Sequence, residues 1–384
     1  MGRLIQIASI LLLPALALGK TWRVSRQGSI PAIRAAVDLA SAGDTILVEK
    51  GIYLEKGLLI DKPLYLKGIN MPVLDGENKY DIISVRSDRV TIEGFRLRHS
   101  GFSGWNDIAG IKIYNARDVV IRSNVLENTF FGIYSQNSNN CSIINNELHS
   151  NAADEIQSGN GIHCWKCDSM RITGNSITRH RDGIYFEFVT NSLIQQNNSF
   201  DNARYGLHFM FSHNDNYKDN VFNNNGSGVS VMFSHGVNML GNTFERNRGG
   251  SSYGILMKEI TDSRAEGNHF VNNTCGIYME GTTRIAVVKN SFESNGWAMK
   301  IQASCSDNTV SGNNFRGNTF DLATNGSLVL SKFSNNYWDK YEGYDLNRDG
   351  IGDIPYRPIS LYSMIAEKNP TTMMLFRSFI VSLL

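Results

Sequence analysis

Gly254-Ile-Leu-Met257 and Gly276-Ile-Tyr-Met279 stand 22 residues apart and share one pattern. A glycine comes first, an apolar residue follows it, and another stands two places further on. The same opening recurs at Gly110, Gly132, Gly161, Gly183, Gly206, Gly228 and Gly296. An asparagine keeps step at positions 124, 146, 175, 197, 220, 242, 268 and 290, always 14 residues after its glycine. A fixed period in the low twenties marks a solenoid, in which each repeat buries its apolar face only against its neighbours. Alternation at period two after each glycine marks short half-buried strands rather than helices. Asparagine before a short apolar strand, as in Asn242-Thr-Phe244, suits a turn whose side chains stack from coil to coil. The pattern therefore predicts an all-β chain, a right-handed parallel β-helix.

Length varies in one place only. The interval from asparagine to the next glycine is 8 residues in most repeats, 15 from Asn146 to Gly161 and 12 from Asn242 to Gly254. A further long connection runs from Arg98 to Ala109. All the extra chain should emerge at one corner, and loops gathered on one side of a repeat protein commonly form its binding side.

The ends differ from the middle. Arg3, an apolar run from Leu4 to Leu18 and the small residues around Gly19 read as a secretory signal peptide spanning 1–19. Ser29 followed by Ile30, Ile33, Ala36, Val37, Leu39 and Ala40 predicts a capped amphipathic helix over the open first coil of a β-helix spanning 20–338. The remaining segment, 339–384, combines an Asp-rich turn with helical tail pieces. In it Asp345, Asn347, Asp349 and Asp353 alternate as oxygen ligands around Gly350, like a calcium loop, but Tyr356 stands where a bidentate Glu belongs. Calcium and a plain Asx-rich turn are equally open. Thr371 to Leu384 is too short to span a bilayer, which takes about 20 residues, and suits packing on the solenoid or docking onto a membrane protein. A net charge of +1 gives no reason to expect nucleic acid.

Two neighbouring coils share a longer phrase, Gly206-Leu-His-Phe-Met-Phe-Ser-His213 and Gly228-Val-Ser-Val-Met-Phe-Ser-His235. Strand parity puts Met257, Met279 and Met299 in the core, and turns Met210, Met232 and His208 outward. Stacking would set Met210 over Met232 and His213 over His235, about 4.8 Å apart. Thioethers with imidazoles and no carboxylates favour a soft ion such as Cu(I). The bland alternative is a repeated packing unit. Cys164 and Cys167 suit packing or a local disulfide, and Cys141, Cys275 and Cys305 suit buried filler. A secreted β-helix also raises a polysaccharide lyase or hydrolase, but outward acids such as Glu187 and Glu280 lie four repeats apart, leaving loop acids such as Asp154 and Glu155.

These repeats, the paired Met-Phe-Ser-His phrases, and Asn336-Tyr-Trp-Asp through Gly352-Asp-Ile-Pro-Tyr-Arg-Pro358 resemble the NosD family. The resemblance covers most of the chain and is most specific in the tail. It implies a non-enzymatic periplasmic protein at an inner-membrane ABC transporter, with the ATPase and membrane subunit as partners. It further implies copper insertion into apo nitrous oxide reductase, with a copper-donor lipoprotein upstream and the terminal helices against the membrane subunit. It brings no ligand set with it: Met210, Met232, His213, His235 and His208 rest on strand parity alone.

Overall fold

Three parallel sheets, with 14, 12 and 13 strands, take in the chain from Thr21 to Trp338. The computed structural model describes residues 19–103, 106–151, 158–326, 330–369 and 371–372. Residues 1–18 of the expected signal peptide, Asp154, Glu155 and most of the Thr371–Leu384 run lie outside them. Each coil contributes one strand to each sheet, and each strand pairs only with its counterparts one coil above and below. The chain is a parallel β-helix.

The repeat glycines sit near the start of the strands of the 12-stranded sheet, here the glycine sheet, as in Ser227–Met232. They are needed for close approach between coils. A Cβ on Gly228 would lie 2.5 Å from the carbonyl oxygen of Gly254, so any side chain would push the coils apart. Beyond each glycine strand the chain turns into the 14-stranded sheet, and then through the asparagine corner into the 13-stranded sheet.

The ladder asparagines point into the solenoid. Asn220 donates from Nδ2 to Ile194 O (3.0 Å) and to Asn242 Oδ1 (2.9 Å), while its own Oδ1 accepts from Asn197 N and Nδ2 at 2.9 Å. The left-handed backbone belongs to the residue before each ladder asparagine, such as Gln196, Asp219 or Lys289, and not to the asparagine itself. A second ladder runs through Asn202, Asn225, Asn247, Asn273, Asn295 and Asn318 on the same plan. Between the ladders a column of parallel rings, Phe222, Phe244, Phe270, Phe292, Phe315 and Trp338, stacks at 4.0–5.4 Å.

The caps depart from expectation in detail. Helix α1 (Ile33–Leu39) buries Ile33, Ala36 and Val37, but Ser29 does not cap it. The Glu55 carboxylate takes the Ile33 N–H instead (2.7 Å), a cap from the next coil that sequence spacing does not reveal. At the other end Tyr356 folds back against Trp338 and donates to Asp321 Oδ2 (3.3 Å). Helix α2 (Leu361–Lys368), capped by Ser360, lies on the outer face of the glycine sheet. There Tyr362 and Ala366 bury against Trp297 and Phe320, and Glu367 pairs with Lys300 at 2.6 Å.

Replacing Asn220 by Ala would strand the Asn197 amide and the Ile194 carbonyl in a water-free interior. We expect a loss of roughly 3 kcal/mol or more, at ~1–3 kcal/mol per orphaned group. Hydrogen exchange should quicken in the adjoining coils first; protection unchanged there would show that the ladder does not hold the register.

Candidate functional site

The outer face of the glycine sheet is built from alternate residues of its strands. Asp182–Glu187, Tyr205–Met210, Ser227–Met232 and Tyr253–Lys258 lie side by side. Register puts Tyr185, His208, Ser230 and Leu256 in one column, and Glu187, Met210, Met232 and Lys258 in the next. Met210 and Met232 are therefore direct neighbours, half-buried on the outward side, while Met257, Met279 and Met299 are core.

His208 has the outward parity expected of it, yet it is only 6% exposed. Tyr185 (5.0 Å, edge-on) and Tyr205 (4.8 Å) pack against its ring. Its Nδ1 lies 3.6 Å from Asp182 Oδ2 and 3.5 Å from Arg204 Nη2. Arg204 grips the fully buried Asp182 carboxylate through Nε (2.8 Å) and Nη2 (2.5 Å). Burial alone would push the Asp182 carboxyl up, but Arg204 and His208 outweigh it and hold the group below its usual range. His208 Nε2 is buried without a hydrogen-bond partner. The Tyr185 hydroxyl donates toward Met210 Sδ (3.6 Å) and Glu187 Oε2 (3.3 Å).

His213 and His235 also stack, with ring centroids 4.0 Å apart and planes 8° from parallel. The His235 backbone N–H donates to His213 Nδ1 (3.2 Å), which fixes that nitrogen as an acceptor. Burial, helped by His235, lowers the His213 pKa and favours the neutral ring. Between the methionines and these histidines the chain passes through Phe211 and Phe233, both left-handed and partly exposed. With Phe188 they form a third stack at 5.1–5.3 Å. The structure thus makes two like pairs, Met210 with Met232 and His213 with His235, on either side of a phenylalanine corner.

A family model described as "Periplasmic copper-binding protein (NosD)" matches residues 37–158 and 150–348. The chain belongs to the NosD family. It is 29% identical over 319 residues to a "Probable ABC transporter binding protein NosD" of Pseudomonas aeruginosa, covering 78% of this chain and 74% of the relative. A protein of the same description from Stutzerimonas stutzeri is 28% identical over 320 residues, covering 78% and 72%. Among solved structures, the catalytic unit of a GH87 α-1,3-glucanase from Streptomyces thermodiastaticus superposes with a TM-score of 0.65 at 12% identity, covering 83% of this chain and 68% of its own. The A-module of the Azotobacter vinelandii mannuronan C-5 epimerase AlgE4 gives 0.55 at 17%, covering 82% and 95%. Likenesses this remote establish the β-helix and nothing of its chemistry.

Other sites in this NosD-family chain resolve differently. Among the described residues no three His, Cys, Asp or Glu side chains form a metal-binding group. In the Asp-rich turn the carboxylates serve the backbone: Asp345 accepts from Asp349 N (3.2 Å) and Gly350 N (2.9 Å), Asp349 from Ile351 N (2.8 Å), and Asp353 from Leu346 N (2.7 Å). Asn347 Nδ2 donates to Asp349 Oδ2 (3.0 Å). All five cysteines are buried free thiols, so Cys164 and Cys167 pack together without a disulfide. Asp182, Tyr185 and Arg204 escaped the sequence reading, although Tyr185 lies one coil from His208 at the same strand position. Applying the parity rule to tyrosines as well as to methionines would have found it.

One interior carboxyl is shifted far by its surroundings. Burial pushes the Asp215 carboxyl up from 3.8 to about 8, against the pull of its hydrogen bond from Ser192 N. The folded state then holds this proton more tightly than the unfolded chain. Its stabilising effect is full below the usual value of 3.8 and is lost as pH rises toward 8. We expect Asp215→Asn to unfold at the parent's urea midpoint at pH 4 and at a higher midpoint at pH 8. Equal midpoints at pH 8 would show an ionised, hydrated Asp215.

Proposed function

We propose that this chain is a non-enzymatic periplasmic accessory that carries Cu(I) during copper-site assembly of nitrous oxide reductase. In this reading it works beside the membrane subunit and ATPase of an ABC transporter, receives copper from a donor lipoprotein and presents it to the apo-reductase. The observation that carries the proposal is the Met210–Met232 pair, two thioethers in register on an outward sheet face of a protein from a family described as copper-binding. Thioether sulfur is a poor ligand for hard ions and a good one for Cu(I). The relatives' description as transporter binding proteins supports the association with a transporter. The α2 segment, with Leu361 and Ile365 exposed beside the last coils, is where we place that contact. The Asp345–Asp353 turn is read as a structural fastening whose carboxylates are engaged by its own backbone, with calcium an optional addition.

A polysaccharide-acting β-helix is the second reading, favoured by the Asp182–His208–Tyr185 cluster on the outer face. Against it, the Asp182 carboxylate is committed to Arg204 on both oxygens, which leaves it a poor base.

Cu(I) titration of the purified chain under reducing conditions, against a competing chelator, tests the copper reading. We expect tight binding by the parent, weakened at least tenfold by Met210→Ala with Met232→Ala. A parent that leaves all the copper on the chelator would sink it, and incubation with alginate or pectate would then be the next assay.

A further inference from the structure

The column of rings inside the solenoid has an end, and that end leaves a ring face uncovered. Phe315 covers one side of the Trp338 indole, with centroids 4.0 Å apart and planes 9° from parallel. Tyr337–Trp338 is the last strand of its sheet, so no further coil stacks on the other side. The loop 339–358 passes over this end without filling it. An open cavity of about 610 Å³ remains between the loop and the last coil.

Aromatic side chains build its walls. Tyr356 leans against Trp338 at 5.2 Å and 42°, and Tyr341 stands edge-on to Tyr356 at 6.2 Å and 88°. Tyr344 lines the cavity as well, from an exposed position. Tyr341 is held firmly. Its hydroxyl donates to Ile354 O (2.9 Å), and a Cβ on Gly343 or Gly352 would meet that hydroxyl at 2.0 Å. The Tyr356 hydroxyl donates to Asp321 Oδ2 (3.3 Å). A phenol that donates its proton in a hydrogen bond leaves its ring richer in π density, and ring faces attract cations. Tyr337, at the same end, already carries the Arg316 guanidinium 5.2 Å from its centroid. Trp338, Tyr341, Tyr344 and Tyr356 carry no cation among the described residues.

The charges agree with the rings. Asp339 and Asp345 line the cavity, and no lysine or arginine lines it among the described residues. Lys340 is turned to Asn318 O (2.7 Å), Thr319 O (3.3 Å) and Asp321 Oδ2 (3.4 Å), and Arg348 and Arg357 stand outside the lining. The Asp345 oxygens accept from Asp349 N (3.2 Å) and Gly350 N (2.9 Å), and Asp339 Oδ2 accepts from Gly317 N. These carboxylates offer negative field more than unused acceptor sites. A lysine or arginine side chain brings several N–H donors that need acceptors. A quaternary ammonium brings none, and is bound by ring faces and opposing charge.

We propose that this cavity binds a small quaternary ammonium cation of the choline type, held by Trp338, Tyr341 and Tyr356, with Asp339 and Asp345 supplying the opposing charge. The volume of about 610 Å³ falls within the roughly 300–1,000 Å³ of small-molecule sites. A zwitterion such as glycine betaine fits less well, because its carboxylate meets the two aspartates. The site is separate from the methionine face and does not rest on the copper reading.

Fluorine NMR of the full chain labelled with 5-fluorotryptophan tests it, with the Trp338 resonance assigned by Trp338→Phe. The ligands compared are choline and 3,3-dimethylbutanol, which has the same shape with carbon in place of the charged nitrogen. We expect a saturable shift of the Trp338 resonance, with choline at least about tenfold tighter than its neutral analogue. Tyr344→Leu, at an exposed position, should weaken choline about threefold. Asp345→Asn should weaken choline and leave 3,3-dimethylbutanol unchanged. Equal affinity for the two ligands would overturn the proposal by showing a pocket indifferent to charge. Tighter binding of butylguanidine than of choline would overturn it in favour of an arginine side chain from a partner. Sedimentation of the chain with phosphatidylcholine vesicles would overturn a soluble ligand in favour of a lipid headgroup. A parent in which none of the five tryptophan resonances shifts saturably with choline would overturn it without requiring any variant to fold.

Discussion

Everything in this molecule depends on register between coils, and the buried asparagine amide is what holds it. Each ladder asparagine ties its own coil, the coil before and the coil after, and no water competes for its hydrogen bonds. Shifting one coil by a single residue would invert every side chain beyond it, from core to surface. The amide ladders, the close glycine contacts and the phenylalanine column each allow one alignment. That alignment is also what sets Met210 beside Met232 and His208 beside Ser230.

The surface chemistry follows from that repetition. A β-helix places equivalent positions in straight columns, so two coils with the same phrase make a pair of like ligands at a fixed spacing. The column that holds the two methionines is mixed elsewhere, with Gln136, Trp165 and Glu187 before them and Lys258 and Glu280 after. Only where the chain repeats itself does a column carry the same soft donor twice. Beside it the other column changes from ring to hydroxyl, from His208 to Ser230.

The sequence carried the fold almost whole, because the period, the parity and the fixed 14-residue half are one-dimensional facts about a one-dimensional structure. Core and outward methionines separated by parity alone. The asparagines were legible as a ladder, but their geometry was not. The left-handed residue precedes the asparagine, because Asn220 and its equivalents need their side chains inside. Contacts that cross between coils without a repeating signal were invisible: Glu55 capping α1, Asp182 under Arg204, Tyr185 against His208. The stacking of His213 on His235 was legible from the repeated phrase, but the left-handed corner at Phe211 and Phe233 between them and the methionines was not, since a linear pattern does not show it.

The confinement of all length variation to the stretch between asparagine strand and glycine strand has a further meaning. From Asn197 onward each of these connectors first gives a rung to the second ladder, as Asn247 does between Asn242 and Gly254, and then runs on to the edge of the sheet that bears the methionines. The extra residues between Asn247 and Gly254 follow that rung, so the chain lengthens there with the ladder intact on both sides. Length is thus free to vary after each rung and fixed before it.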